Sequence, residues 1–399
     1  MTQAVTSHSS TTGGSKRFNI QLRWTDAFIA LGIVLMLIGV GSFWQRMTQG
    51  LAPTNLTSYV PWGLWVGFYD YLVWLEVGSL LVFTSLFYIA NLTDLKPIKS
   101  MVLFTGFIVV LMALMIVFLD LGHPERFWHV LVYPDFSSMI AWMVWLHSAY
   151  LGVLTIELVL VLFGGASADT PLKWLGYLSL PMGLALIIVS GSIFGVIATR
   201  PLWNTASLPL MFLISSLAAG TGLLTLLVVI FWPTKNDGKY EDVIERLARL
   251  TTLLLIVGVF SAGIIAFTML YQGSGNPTRS QGIQLILTGP FAWSFWVVHI
   301  LLGVLIPVGL MIAQPRNPLA VGIATFLSTV TFVAVTLNVV IPVLVTVELK
   351  GLATAFVDPK LSLNYVPNLM EWLLLAFIFG LGSLGFGLGL RFLPLHNSH

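Results

Sequence analysis

Ten long apolar stretches, separated by shorter polar ones, account for most of this chain, near residues 26–44, 62–91, 98–120, 138–164, 174–197, 207–232, 250–271, 285–313, 318–347 and 367–393. Each is long enough to cross roughly 30 Å of hydrocarbon at about 1.5 Å per helical residue. The runs are unbroken rather than alternating, so they are not the strands of a barrel, and an open sheet cannot satisfy its backbone in lipid. The pattern predicts an all-α polytopic membrane protein with about ten transmembrane helices. Residues 1–24 are polar and read as a flexible tail, leaving 25–395 as one transmembrane domain. The first apolar run is too long for a removed signal peptide and lacks the small-residue cleavage site.

Composition sharpens this picture. Only 9% of residues are charged, and 18 basic against 16 acidic groups leave a net charge of +2, with no basic block to hold nucleic acid. With no cysteine there is no disulfide, thiolate-held zinc or cysteine-ligated iron–sulfur cluster, so electrons reaching this chain need a quinone, a haem or a partner subunit. Ten helices place Lys16, Arg17, Arg23, Lys96, Lys99, Lys173, Lys235, Lys239, Arg246, Arg249, Arg316 and Arg391 on the amino-terminal side. Arg46, Arg126, Arg200, Arg279, Lys350 and Lys360 fall on the other, and twelve against six puts both termini in the cytoplasm. The one sizeable cytoplasmic loop, 233–249, reads as a solvated connector, with a short surface helix over its second half as the alternative. The outer loops 121–137, 198–206, 272–284 and 348–366 are longer and rich in Pro, Trp, Tyr and Asn, which suits either a docked partner or interfacial anchoring.

Charged groups within the bilayer require a partner, a wet cavity or a function. The second helix carries Asp70 and Glu76, roughly 13 and 22 Å below the outer face. Tyr69 shares a stripe with Glu76, while Asp70 is turned away by about 120°. The fourth helix carries Glu157 near the inner face and His147 at about the depth of Asp70. Asp70, Glu76, His147 and Glu157 are candidate stations of a proton path, or alternatively neutral groups that fix packing. A bis-histidine haem would require His147 and His299, the two deep histidines, to face each other.

At the outer end of the third helix, Asp120-Leu121-Gly122-His123-Pro124-Glu125-Arg126-Phe127-Trp128 crowds a carboxylate, an imidazole and a guanidinium around a sharp helix exit. Such a cluster can hydrogen-bond a quinone headgroup and move its protons, or an Asp120–Arg126 ion pair can staple the loop. Arg200, at the next outer connection, can snorkel or hold an acid of that loop. Glu348 and Glu371 belong to the same rim and are expected at headgroup level, without a role.

Pro61-Trp62-Gly63 with Tyr69-Asp70-Tyr71 and Gly78-Ser79, the Asp120–Arg126 motif, and Arg200-Pro201-Leu202-Trp203-Asn204 before Leu208-Pro209 together resemble the NrfD/PsrC family of quinone-handling membrane subunits. The length resembles the ten-helix, HybB-like branch rather than the eight-helix polysulfide reductase anchor. The resemblance implies two four-helix bundles with a flanking helix at each end and no haem, iron–sulfur cluster or other metal in this chain. It further implies menaquinone or ubiquinone bound near the outer face. There a ferredoxin-like subunit with four-iron–four-sulfur clusters would dock, together with a catalytic molybdopterin, nickel–iron or cytochrome subunit. Onto this sequence it carries Tyr69, Asp70 and the Asp120–Arg126 motif as site positions; with the residues around them, Asp120, His123 and Arg126 are the catalytic candidates and Tyr69, Asp70, His123, Trp128 and Arg200 the quinone-binding candidates. The setting is a bacterial or archaeal cytoplasmic membrane. A proton- or cation-coupled secondary transporter is the competing reading, with the buried acids as its coupling site.

Overall fold

The computed structural model describes residues 24–233, 238–273, 277–347, 351, 355 and 358–395. Ten helices among these are long and apolar enough to span a membrane: Thr25–Gln49, Leu64–Ile89, Thr93–Asp120, Met139–Phe163, Asp169–Gly195, Ser207–Phe231, Gly238–Gly273, Ser294–Ala313, Pro318–Leu344 and Leu369–Phe392. They follow the apolar runs closely, and the described residues contain no strand. The tail expected over 1–24 lies outside the described residues except for Trp24, as does Glu348.

The second to fifth spans pack around one another as a first bundle, and the sixth to ninth as a second. The first and tenth spans pair outside them and lean on the third. Lipid and apolar side chains attract each other about equally, so what joins helices here is close backbone approach and polar contact. The bundles meet where the second span crosses the sixth. A side chain on Gly78 would collide with the Ser216 carbonyl, and one on Gly220 with the backbone of Gly78 and Ser79. Trp74, fully buried one turn earlier, fills the wider part of this seam edge-on against Phe212, 4.9 Å between ring centroids.

One connector departs from expectation. From Gly238 onward the 233–249 loop is helical and continues without a break into the seventh span. Tyr240, Val243, Ile244, Leu247 and Ala248 recur at helical spacing and are buried, which is the driving force a solvated linker would lack. On the opposite side of this extension Glu245 and Asp242 hold Arg316, at 2.6 and 3.3 Å, so the seventh span is tied to the loop between the eighth and ninth. The eighth span, Ser294–Ala313, starts later than its apolar run: a separate short helix, Pro277–Leu287, precedes it, and its first part, Ser294–Leu305, is wound as a π-helix.

Candidate functional site

The second span is anchored at its first turn before it enters the bundle. The Leu64 amide donates to the Tyr365 hydroxyl at 2.8 Å and the Trp65 indole to the Glu371 carbonyl at 3.0 Å, which fixes the helix rotation. Seven residues make almost two turns, so Tyr69 and Glu76 face the same way. Both meet His147 on the fourth span: the Tyr69 hydroxyl lies 3.4 Å from Nδ1, and Glu76 Oε1 lies 3.0 Å from Nε2. All three side chains are buried, and the second Glu76 oxygen has no hydrogen-bond partner. Asp70 points elsewhere, as its angle on the helix requires. It accepts a hydrogen bond from the Ser190 hydroxyl of the fifth span at 3.0 Å, and its other oxygen is unpartnered. The shared depth of His147 and Asp70 therefore does not become a contact.

Glu157 is buried farther along the fourth span, where Lys99 is the charge acting on it. Lys99 is itself buried over the rings of Phe87 and Tyr88, 5.3 and 5.4 Å from their centroids, an arrangement that lets an ammonium leave water at lower cost. His299, the other deep histidine, lies in the second bundle against Phe295 and Phe332, while both ring nitrogens of His147 face Tyr69 and Glu76.

Where the third span ends, the expected cluster comes apart into two. The backbone leaves the third span extended at Leu121, and Pro124 starts a short 3-10 turn, so His123, Glu125 and Arg126 stand clear of the bundle. There Glu125, not Asp120, is the common partner, 3.0 Å from His123 Nδ1 and 3.7 Å from Arg126 Nε. Hydrogen bonding from the backbone and then from His123, with Arg126 adding its charge, holds the Glu125 carboxyl below the usual carboxylate range. The anticipated Asp120–Arg126 staple is thus an exposed Glu125–Arg126 contact. Trp128 is beside them, half exposed and edge-on to His129.

Asp120 keeps the inward position of a last helical turn and meets residues that sequence reasoning set aside. Arg46 of the first span is fully buried beside it, donating from Nε to the Leu119 carbonyl at 2.6 Å and from a terminal nitrogen to the Leu121 carbonyl. These bonds satisfy two end carbonyls of the third span and bring a cation to the helix terminus where the dipole favours one. Glu371 is the other charge acting on Asp120. It is fully buried rather than at headgroup level, because it is half of a capping box: its carboxylate accepts from the Asn368 amide at 2.7 Å and its amide donates to the Asn368 side chain at 3.0 Å. Its remaining oxygen accepts from the Tyr365 hydroxyl at 3.3 Å. Burial, and then the Glu371 carboxyl, push the Tyr365 phenol well above its ordinary range. Asp120 Oδ1 is buried without a hydrogen-bond partner. The Asn368–Glu371 spacing was the one signal in the sequence that could have flagged Glu371; nothing in the sequence singled out Arg46.

Arg200 closes a different seam. It donates to the Val343 and Thr346 carbonyls at 3.1 and 3.4 Å, while Trp203 donates to Val339 at 2.7 Å and Asn204 to Gly195 at 3.1 Å. The Arg200–Asn204 motif thereby binds the connection between the bundles to the end of the ninth span.

Comparison with known families fits this architecture. The family model described as polysulphide reductase, NrfD, matches residues 52–348. The chain belongs to the NrfD family. The match starts just before the second span and ends just after the ninth, so the family portion is the two bundles, and the first and tenth spans that bring Arg46 and Glu371 to Asp120 flank it. Among full-length relatives, a selenate reductase subunit of Mesobacillus selenatarsenatis is 28% identical, over 91% of this chain and 92% of that protein. The Hdr-like menaquinol oxidoreductase integral membrane subunit of Archaeoglobus fulgidus is 24% identical, over 92% and 93%. The menaquinone reductase integral membrane subunit of Nitratidesulfovibrio vulgaris is 23% identical, over 92% and 91%. This NrfD-family chain is an integral, multi-pass membrane protein.

Proposed function

We propose that this chain is the integral membrane subunit of a respiratory oxidoreductase complex of a bacterial or archaeal cytoplasmic membrane. It exchanges electrons between an iron–sulfur subunit docked on the outer face and a membrane quinone, menaquinone or ubiquinone. The names of the full-length relatives, subunits of a selenate reductase, a menaquinol oxidoreductase and a menaquinone reductase, support this reading.

The observation that carries it is the graded series of buried polar groups in the first bundle. Asp120, with Arg46 and Glu371, stands at the outer end; Tyr69, His147 and Glu76 form a hydrogen-bonded line below; Glu157 and Lys99 lie toward the inner end. A bound quinol would give up two electrons and the protons of its two hydroxyls, and a bound quinone would take up both, so the site needs buried groups able to hold and release protons. The unpartnered carboxyl oxygens of Asp120 and Glu76 fit that requirement. On this reading Asp120 and Tyr69 face the headgroup, Arg46 positions Asp120, and His123, Arg126 and Trp128 form the rim under the docked subunit. Arg200 acts by holding the bundles in register. Asp70, Glu76, His147 and Glu157 are the stations of a proton path across the membrane, and turnover is electrogenic if that series conducts.

A mild-detergent pull-down of the tagged chain, with mass spectrometry of copurified proteins and extracted quinones, tests the reading. The expected result is an iron–sulfur protein, a larger catalytic subunit of molybdopterin, nickel–iron or cytochrome type, and bound quinone. A chain that purifies alone, without quinone, and transports solute in liposomes is a secondary transporter instead.

A further inference from the structure

The second bundle encloses a cavity of about 620 Å³, counting the part open to the surroundings. It lies toward the same face as Asp120, since Trp203 of the connection after the fifth span and Ile286 just before the eighth line it. Phe295, Met211 and Ile265 continue an almost wholly apolar wall, interrupted by two polar side chains, Asn338 of the ninth span and His299 of the eighth. Both are buried, and neither the amide nitrogen nor the amide oxygen of Asn338 has a hydrogen-bond partner. Buried side-chain amides are nearly always paired, so two orphaned atoms on one amide at a cavity wall mark where a ligand's polar group sits. His299 occupies the π-wound start of its helix, a distortion common at functional sites. It is carried by the third span of the second bundle, as His147 is by the third span of the first.

We infer that this cavity is a second binding site, separate from the one proposed in the first bundle, for an isoprenoid quinone or quinol. The inference rests on the proposed quinone role of the chain. Among the described residues no Lys, Arg, Asp or Glu lines the cavity, which argues against an anionic headgroup or a charged solute. A plain acyl chain would give Asn338 nothing to bond. A quinone fits on both counts: its carbonyl accepts from the amide NH₂, a quinol hydroxyl donates to the amide oxygen, and Asn338 thus binds both redox forms without changing its own protonation. The imidazole of His299 provides a second hydrogen-bonding group, and the apolar wall takes the isoprenoid tail.

The test uses the complex in lipid nanodiscs, a photoreactive azidoquinone with a short isoprenyl tail, and peptide mapping of the label. Label is expected on peptides containing residues 283–299 and 335–339 as well as on the first bundle. In Asn338→Leu the second-bundle label should fall at least fivefold while that on the first bundle stays. Ala266→Phe fills the cavity without touching either polar group and should do the same, which separates loss of the site from misfolding around Asn338. Label confined to the first bundle overturns the second site and leaves the proposed function standing. Second-bundle label that persists in both variants overturns it too, because it then reports contact with probe dissolved in lipid. Absence of specific label anywhere overturns the second site and the quinone role together.

Discussion

Asp120 and Glu76 each carry a buried, unpartnered carboxyl oxygen, but they depend on their neighbours in different ways. Asp120 faces Arg46, whose guanidinium is also held by the carbonyls of Leu119 and Leu121, so Asn in its place leaves the arginine hydrogen-bonded. Asp120→Asn is therefore expected to assemble normally and to lower quinol-linked electron transfer by roughly 100-fold or more, the usual contribution of a positioned proton donor or acceptor. Blue-native gels and a quinol oxidation assay on the same preparation check both halves, and loss of assembly would make Asp120 a structural residue. Glu76 depends on His147 alone for its one hydrogen bond. His147→Leu would leave Glu76 without that partner inside the bundle, which for a buried pair costs about 3–5 kcal/mol. Glu76→Gln keeps an amide oxygen against the imidazole and removes only the proton. Thermal unfolding in detergent should show a much lower Tm for His147→Leu than for Glu76→Gln, whereas proton uptake in proteoliposomes should fail in both.

Contacts between helices depend on how closely backbones approach. Gly78 and Gly220 let the second and sixth spans touch, and through them the two bundles. Gly78→Leu is expected to force the bundles apart and to reduce sharply the yield of monodisperse protein by size-exclusion chromatography. Gly152, on the fourth span, has open space around its Cβ direction, so Gly152→Leu should behave as wild type and serves as the control. Equal behaviour of the two variants would mean that the glycine crossing does not hold the bundles. The seventh span makes a related point about legibility. Its amphipathic extension is present in the sequence as Tyr240, Val243, Ile244 and Leu247, whereas the partner of Asp242 and Glu245 is not, because Arg316 reaches them from the loop before the ninth span.

For the whole molecule, sidedness is the property on which docking and proton direction both depend. The chain has no cysteine, so single cysteines report position without a background. Tyr133, 74% exposed in the aromatic loop after the third span, and Lys239, with a side chain 73% exposed at the start of the seventh span, lie at opposite ends of the bundles. In intact spheroplasts a membrane-impermeant maleimide should label Tyr133→Cys and reach Lys239→Cys only after permeabilisation. The reverse pattern would invert the topology and place the partner in the cytoplasm. Tyr133 belongs to an exposed group with Phe127, Trp128, Phe136 and Trp142, a surface suited to a partner's apolar face.

The sequence by itself determined the ten spans, the all-helical class and the stripe that joins Tyr69 to Glu76, because hydrophobic length and the 100° helical step are local quantities; the family followed from the resemblance of its ordered motifs. It also placed Asp120, His123, Arg126 and Arg200 on one face of the membrane. Only the tertiary structure decided which of these groups meet. The charges that act on Asp120 lie 74 positions before it and 251 after it, Arg46 and Glu371, because the tenth span folds against the third and carries the first with it. His123 and Arg126, close to it in sequence, are carried away by a proline-led turn and share Glu125 instead. His147 pairs with Glu76 rather than with Asp70 because helix rotation, not depth alone, sets contact. Burial brings together side chains that no spacing along the chain relates, and in a membrane those few polar meetings are where the chemistry is.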